Sequence, residues 1–321
     1  MGMGRTFVIG SWNTGGLSRM NCSLQKAGQM ADIIRHEQMD IVGLCEVLDA
    51  DALMTLVASL GRDWDFVWLQ ARPKRGFVDV DHDPNGEGYG FVWNRTRLSR
   101  ISTVLLDGKE ETYQPQIYGQ YQVDKGRGQK ELVRDPVLGR FTPQGLGGGN
   151  FELRLLLCHI RYNGIDEDKD RFFWPLRQNE FEVLTRTLLP KVEDATYGSN
   201  MPAYTMVLGD YNMNLMRAWT KKPYLEEPRD GYVFEDKVIV TVQDALTVLK
   251  KPKKGTDEKT VGYLHGFDHF SYNKNRLASM HPKVRRCDIM GDGYYAAYYG
   301  DFDRYRREIS DHVPIVISLQ G

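Results

Sequence analysis

An α/β fold of two stacked β-sheets, apolar between them and covered outside by helices, is what the periodicities of this chain predict. β-forming and helix-spaced runs intermix from end to end, without the strict strand–helix–strand rhythm of a doubly wound sheet. The clearest strand alternates Leu153, Leu155 and Leu157 against Arg154 and Leu156, so it has two faces to cover. Helical stripes such as Phe181, Leu184, Leu188 and Leu189 supply that cover.

Taken in order, residues 6–12 alternate and are rich in β-formers, which predicts a first strand. Residues 24–36 place Ala27, Met30, Ile33 and Ile34 at helical spacing, and residues 40–47 read as a buried strand. Residues 52–60 predict a second helix and residues 66–70 a strand. Residues 89–94 and 100–106 resemble two paired strands. Residues 151–159 and 203–209 are further strands, and 176–192 is a long helix. The last strand, 313–319, alternates Val313, Ile315 and Ile317 with Pro314, Val316 and Ser318. Polar, glycine-bearing stretches at 73–88, 107–132 and 142–150 are long for passive connections, and such loops are often functional. No repeat and no proline- or serine-rich linker divides residues 1–321, so one domain is expected.

With 41% hydrophobic and 26% charged residues, the composition is that of an ordinary globular protein. The 42 basic residues are matched by 43 acidic ones, so bulk charge does not grip nucleic acid. Basic clusters at 72–75, 95–100, 250–254, 283–286 and 304–307 each read, alone, as solvated surface. Cys22, Cys45, Cys158 and Cys287 form no CxxC pair, and Cys45 and Cys158 read as small buried hydrophobes. The apolar runs are too short to span a bilayer and residues 1–10 lack a secretory h-region, so a cytoplasmic protein without membrane contact is expected.

Chemistry is signalled by six segments: Ser11-Trp12-Asn13, Leu44-Cys45-Glu46-Val47, Leu157-Cys158-His159, Leu208-Gly209-Asp210-Tyr211-Asn212, Phe267-Asp268-His269 and Ser310-Asp311-His312. Acids, amides and histidines at the ends of apolar strands are poor packing choices unless they converge. Metal-dependent hydrolysis of a phosphate ester calls for that mixture of oxygen ligands, a base and positive charge. Taken alone, Glu46 reads more readily as a strand-end acid facing solvent. Asp210 and Asn212 fit a water-orienting acid beside a phosphate-binding amide, and equally a turn that caps its own backbone. His312 fits a general acid or charged stabiliser, or a surface residue after a capped turn. His265 and His269, four apart, mimic a zinc pair but lack the HExxH pattern.

In this order, Trp12-Asn13, Glu46, His159, Gly209-Asp210-Tyr211-Asn212, Asp268 and Ser310-Asp311-His312 resemble the endonuclease/exonuclease/phosphatase superfamily, the DNase I-like fold, from residue 6 to 319. The resemblance implies a four-layered α/β sandwich, two packed mixed sheets flanked by helices, with the site at one edge. It implies Mg²⁺, replaceable by Mn²⁺, held by Glu46 with Asn13 and Asp311 completing or supporting the metal site. Asp210 would orient or deprotonate the attacking water, Asn212 would hold the scissile phosphate, and His159 and His312 would bracket it. Asp268 matches the acid that polarises His312, and Glu87 matches the partner of His159. Arg134-Asp135-Pro136 resembles an element of DNase I itself, which would make Arg134 a phosphate clamp rather than a turn residue.

The implied activity is a Mg²⁺-dependent phosphodiesterase, a DNA endonuclease acting by in-line water attack, with DNA as its partner and no protein partner indicated. The alternatives are a phosphomonoesterase or inositol-phosphate/lipid phosphatase of the same fold, and a catalytically silent binding module. Two departures bear on substrate. Leu48 stands where DNase I carries a groove-inserting arginine, and the loops 107–132, 215–236 and 294–305 are longer. Tyrosines of the last loop either stack on unpaired bases or pack beneath the loop.

Overall fold

The computed structural model describes residues 6–70, 87–101, 134–144, 151–160, 180–198, 200–215, 238–242, 245–250 and 262–320, with short pieces at 103–104, 110–111, 116–117, 132, 177–178 and 232–233. The loops at 73–88, 107–132, 142–150 and 215–236 and the basic clusters at 72–75 and 250–254 lie wholly or mostly outside the described residues.

In chain order the sheet strands are β1 (Thr6–Leu17), β2 (Ile41–Val47), β3 (Trp64–Gln70), β4 (Gly88–Asn94), β5 (Leu98–Arg100), β6 (Gln116–Ile117) and β7 (Val137–Pro143). There follow β8 (Glu152–His159), β9 (Ala203–Asp210), β10 (Tyr232–Val233), β11 (Ile239–Val242), β12 (Asp268–Asn273), β13 (Lys283–Arg286) and β14 (Ile315–Gln320). One sheet has six strands in the order β13-β14-β1-β2-β4-β3. The other has eight, β10-β11-β12-β9-β8-β7-β5, with β6 added on β7.

Three buried apolar clusters mark the boundaries between four layers. The first packs helices α1 (Leu24–His36) and α2 (Ala50–Leu60) on the outer face of the six-stranded sheet, through Ala27, Met30, Leu53 and Leu56 against Val42 and Leu44. The second lies between the sheets and joins Ile9, Ile41 and Ile315 to Leu153, Leu155, Leu157 and Leu208. The third sets Phe181, Leu184 and Leu188 against Leu156 and Val207 on the outer face of the eight-stranded sheet. The strand alternation read at Leu153–Leu157 is therefore real, with the odd positions facing the other sheet. Among the described residues no helix is long and apolar enough to cross a membrane.

Local chemistry explains the element ends. Ser23 and Asp49 cap α1 and α2 by accepting from the backbone N–H groups of Lys26 and Ala52. The helix over residues 180–194 contains a π turn, Val183–Leu188, before α3 (Leu189–Asp194), where Pro190 has no N–H to donate. Arg154 is buried in a strand because its guanidinium meets Glu152 and the carbonyls of Val192 and Ala195 at the end of that helix.

Two expectations need correction. Residues 89–94 and 100–106 are not a pair: β4 lies between β2 and β3, whereas β5 belongs to the opposite sheet beside β7. The chain changes sheets at an Asn94-capped turn and is anchored there by Arg97 on Asp40. The last strand begins at Ile315, and Val313 packs in the helix-side cluster instead of with Ile315 and Ile317. Of the tyrosines in 294–305, Tyr295, Tyr298 and Tyr305 pack in that same cluster, while Tyr294 and Tyr299 are exposed. All four cysteines are free and buried.

Candidate active site

Sheet direction brings the polar segments together. β1 runs parallel to β2 and β8 parallel to β9, so Asn13, Glu46, His159 and Asp210 come late in their strands at a common edge. β12 and β14 run antiparallel to β9 and β1, so the same edge receives their beginnings. Asp268, the first residue of β12, is paired with Asp210, the last of β9.

A bulge then aims Glu46. The β1–β2 register shifts between Asn13 and Leu17, where Gly15 and Gly16 take φ of 63° and 81°. Opposite them Glu46 itself has φ 56°, a left-handed conformation that costs a non-glycine residue roughly 1–2 kcal/mol. The Thr14 hydroxyl clamps the bulge by donating to the carbonyls of Cys45 and Glu46. Gly209, at φ 140°, is required for close packing: a Cβ there would lie 1.8 Å from the Cys158 carbonyl oxygen.

Asn13 is the hinge of the site. Its Nδ2 donates to Glu46 Oε1 at 2.9 Å and to Asp210 Oδ2 at 2.8 Å, while its Oδ1 accepts from Gly15 N–H. The amide nitrogen, not the oxygen, thus faces the two carboxylates. Asp210 Oδ2 also lies 3.7 Å from His159 Nε2 and 3.8 Å from His312 Nε2, so it sits between two imidazoles. Its other oxygen accepts from the Asn212 N–H at 2.8 Å. The turn that caps its own backbone is thus present on this oxygen, while Oδ2 faces the two imidazoles. Asn212, at φ 50°, gives one amide N–H to the Ile160 carbonyl.

Each imidazole has a carboxylate behind it. His312 Nδ1 lies 2.9 Å from Asp268 Oδ2, which also accepts the Thr247 hydroxyl at 2.6 Å. Burial works against charge on His312, but Asp268, Asp210 and Asp311 outweigh it and push the pKa up to about 10. His159 Nδ1 lies 3.0 Å from Glu87 Oε2 and 2.9 Å from an Arg134 nitrogen, and Arg134 also pairs with Glu87 at 2.9 Å. Burial and Arg134 lower the His159 pKa, yet Glu87 and Asp210 win and raise it. Asp210 is pushed up to about 6, chiefly by burial and then by Asp268, against His312, His159 and Asn13.

Glu46, His159 and Asp210 each offer one ligand atom, all within 4.8 Å of one another. The carboxylates of this group suit an oxygen-preferring divalent ion such as Mg²⁺ or Mn²⁺. The donor set fits. Asp311 is not part of this group; its Oδ1 would lie 3.3 Å from a Cβ on Gly15, beside the bulge that carries Asn13. Arg134 is turned toward Glu87 and His159. Sequence reasoning missed Thr247, Thr14 and Tyr89, whose hydroxyl accepts the His159 N–H at 3.1 Å. Isolated hydroxyls give no signal in the sequence, although Tyr89 lies two residues after Glu87. The histidines at 265 and 269 make no zinc pair: His269 Nε2 bonds the Met213 carbonyl and burial lowers its pKa to about 4, while His265 stacks on Phe267.

The sequence matches no protein-family model and no curated protein. Solved structures do match the fold. A humanized TDP2 of D. rerio aligns over 98% of this chain and 99% of its own, with TM-score 0.54 and 15% identity. An endonuclease/exonuclease/phosphatase family protein of Bacteroides thetaiotaomicron covers 98% of each chain, with TM-score 0.52 and 14% identity. A mannosyl-6-phosphatase of the same organism aligns over 98% of this chain and all (100%) of its own, with TM-score 0.52 and 15% identity. The fold is thus the DNase I-like four-layered α/β sandwich.

Proposed function

We propose that this protein is a divalent-metal-dependent phosphodiesterase acting on nucleic acid, with DNA the preferred substrate. The observation that carries the reading is Asp210 Oδ2, set between the Nε2 atoms of His159 and His312 at 3.7 and 3.8 Å. A carboxylate bracketed by two imidazoles, beside a second carboxylate, handles a water and a phosphate with little rearrangement. D. rerio TDP2, of the same fold, is known with a single-strand DNA product, which favours nucleic acid.

Glu46 would hold the ion, with Asn13 fixing the Glu46 and Asp210 carboxylates and Asp311 supporting the bulge. When bound, Mg²⁺ or Mn²⁺ would neutralise phosphate charge and polarise the phosphorus. Asp210 orients the attacking water and accepts its proton, which a carboxylate raised to about 6 does better than an ordinary one. His312, kept protonated by Asp268, places positive charge against the phosphate. Asn212 keeps its second amide N–H for a phosphate oxygen, since the first serves Ile160. His159 donates from Nε2 to the departing oxygen while Glu87 holds Nδ1. Arg134 would leave this pair to clamp a flanking phosphate.

A panel of supercoiled, linear, nicked and single-stranded DNA, RNA, inositol phosphates, and p-nitrophenyl phosphate mono- and diesters tests the reading. Diester cleavage in Mg²⁺ or Mn²⁺, abolished by EDTA, is expected. Faster turnover of monoesters or inositol phosphates would replace it with a phosphatase, and no turnover of any ester would point to a silent binding module.

A further inference from the structure

Beyond Asn212 the chain continues as Met213-Asn214-Leu215, which the chemistry above does not use. Tyr211, Met213 and Leu215 all pack in the outer apolar cluster, and Asn214 is the buried polar residue between the last two. Asp210 and Asn212 are fully accounted for by the site and by local backbone. Asn214 is not. It is only 5% exposed, and among the described residues neither its Nδ2 nor its Oδ1 has a hydrogen-bond partner. Buried polar atoms are ordinarily paired, and a carboxamide with both ends unmet weakens the fold for no structural return. A leucine of similar size would fill the same space without that loss.

We infer that Asn214 is a specificity residue of the proposed phosphodiesterase, binding a neutral donor–acceptor group of the substrate next to the scissile phosphate. A carboxamide offers N–H and C=O side by side and carries no charge, so its match is a group that both donates and accepts. A nucleobase edge and a sugar hydroxyl share that chemistry, whereas a phosphate oxygen only accepts. Asn214 thus stands two residues beyond the phosphate-binding amide of the proposed site and four beyond its water-orienting acid.

The test compares wild type with Asn214→Leu and the smaller Asn214→Ala on matched single-stranded DNA and RNA oligonucleotides and on bis(p-nitrophenyl) phosphate, which has neither base nor sugar. Both variants are expected to lose about tenfold in kcat/KM on oligonucleotide, mainly through KM, and nothing on the chromogenic diester. Equal loss on DNA and RNA assigns the base edge; loss on RNA alone assigns the 2′-hydroxyl. Unchanged oligonucleotide kinetics, or equal loss on the chromogenic diester, would overturn the inference. Thermal melting gives an arm independent of activity: Asn214→Leu raises Tm by roughly 1–2 °C if the amide is unpaired in the resting fold. A lowered Tm would show a structural partner and overturn the inference even if no ester is cleaved, an outcome that would fail the phosphodiesterase reading by itself.

Discussion

The two imidazoles that flank Asp210 stand on unlike foundations. His312 rests on Asp268, a fully buried carboxylate that also takes the Thr247 hydroxyl and lies beside Asp210 in the sheet register. His159 faces Glu87, whose side chain is 25% exposed, and it shares Nδ1 with Arg134, 18% exposed. In one tautomer Nδ1 donates to Glu87, and in the other it accepts from Arg134, so the two partners cannot be satisfied at once. On the proposed reading, the His312 edge would hold charge and the His159 edge would exchange a proton.

The largest expected break in this comparison is Asp268→Asn against Glu87→Gln. Losing the buried carboxylate leaves His312 with an unpaired charge and should cost about 3 kcal/mol of stability and roughly 10²–10³-fold in kcat. Losing Glu87, at a partly exposed position with Arg134 at hand, should cost about 1 kcal/mol and about tenfold in rate. Urea unfolding and diester hydrolysis check both; equal losses would erase the distinction.

A smaller effect lies in the pH dependence of stability. Burial opposes protonation of His312, but its carboxylate neighbours raise the pKa from 6.5 to about 10. A raised pKa in the folded state stabilises fully below pH 6.5 and is lost as pH rises through about 10. Wild-type Tm should therefore fall between those limits, and Asp268→Asn should flatten the fall. A profile unchanged by the substitution would remove Asp268 as the source of the charge.

The smallest change concerns Arg134. Because Arg134 lowers the His159 pKa, Arg134→Gln should raise it and leave His312 unmoved, as read by histidine NMR titration. A shift of His312 in the same variant would mean that the two edges are coupled rather than separate.

Legibility in the sequence follows the same physical division. Glu46 and Asp210 stood out only as members of a set of polar strand ends, since alone each also fitted a solvent-facing acid or a capped turn, while Leu153–Leu157 declared its two faces by alternation. Asp268 was in view as one of the strand-end segments, but its role behind His312, like Glu87 altogether, came only through the superfamily resemblance, since single acids carry no pattern. The bulge at Gly15-Gly16 was hidden, although the glycine pair was in view, because nothing local says that Glu46 must cross into positive φ. Thr247 escaped altogether: its role depends on a register between Val248 and His312 that links distant parts of the chain. The crossing from β4 to β5 was misread as a hairpin because strand propensity does not encode which sheet a strand joins.

The account turns on Asp210, and hydrolysis of a single-stranded DNA oligonucleotide by wild type and Asp210→Asn in Mg²⁺ tests it most directly. The substitution keeps the Asn212 cap possible and removes a carboxylate that burial disfavours, so the fold should be retained or slightly strengthened. The account predicts cleavage by wild type that EDTA abolishes, and a loss of roughly 10²–10⁴-fold in the folded variant. Turnover by Asp210→Asn within a few-fold of wild type would contradict it.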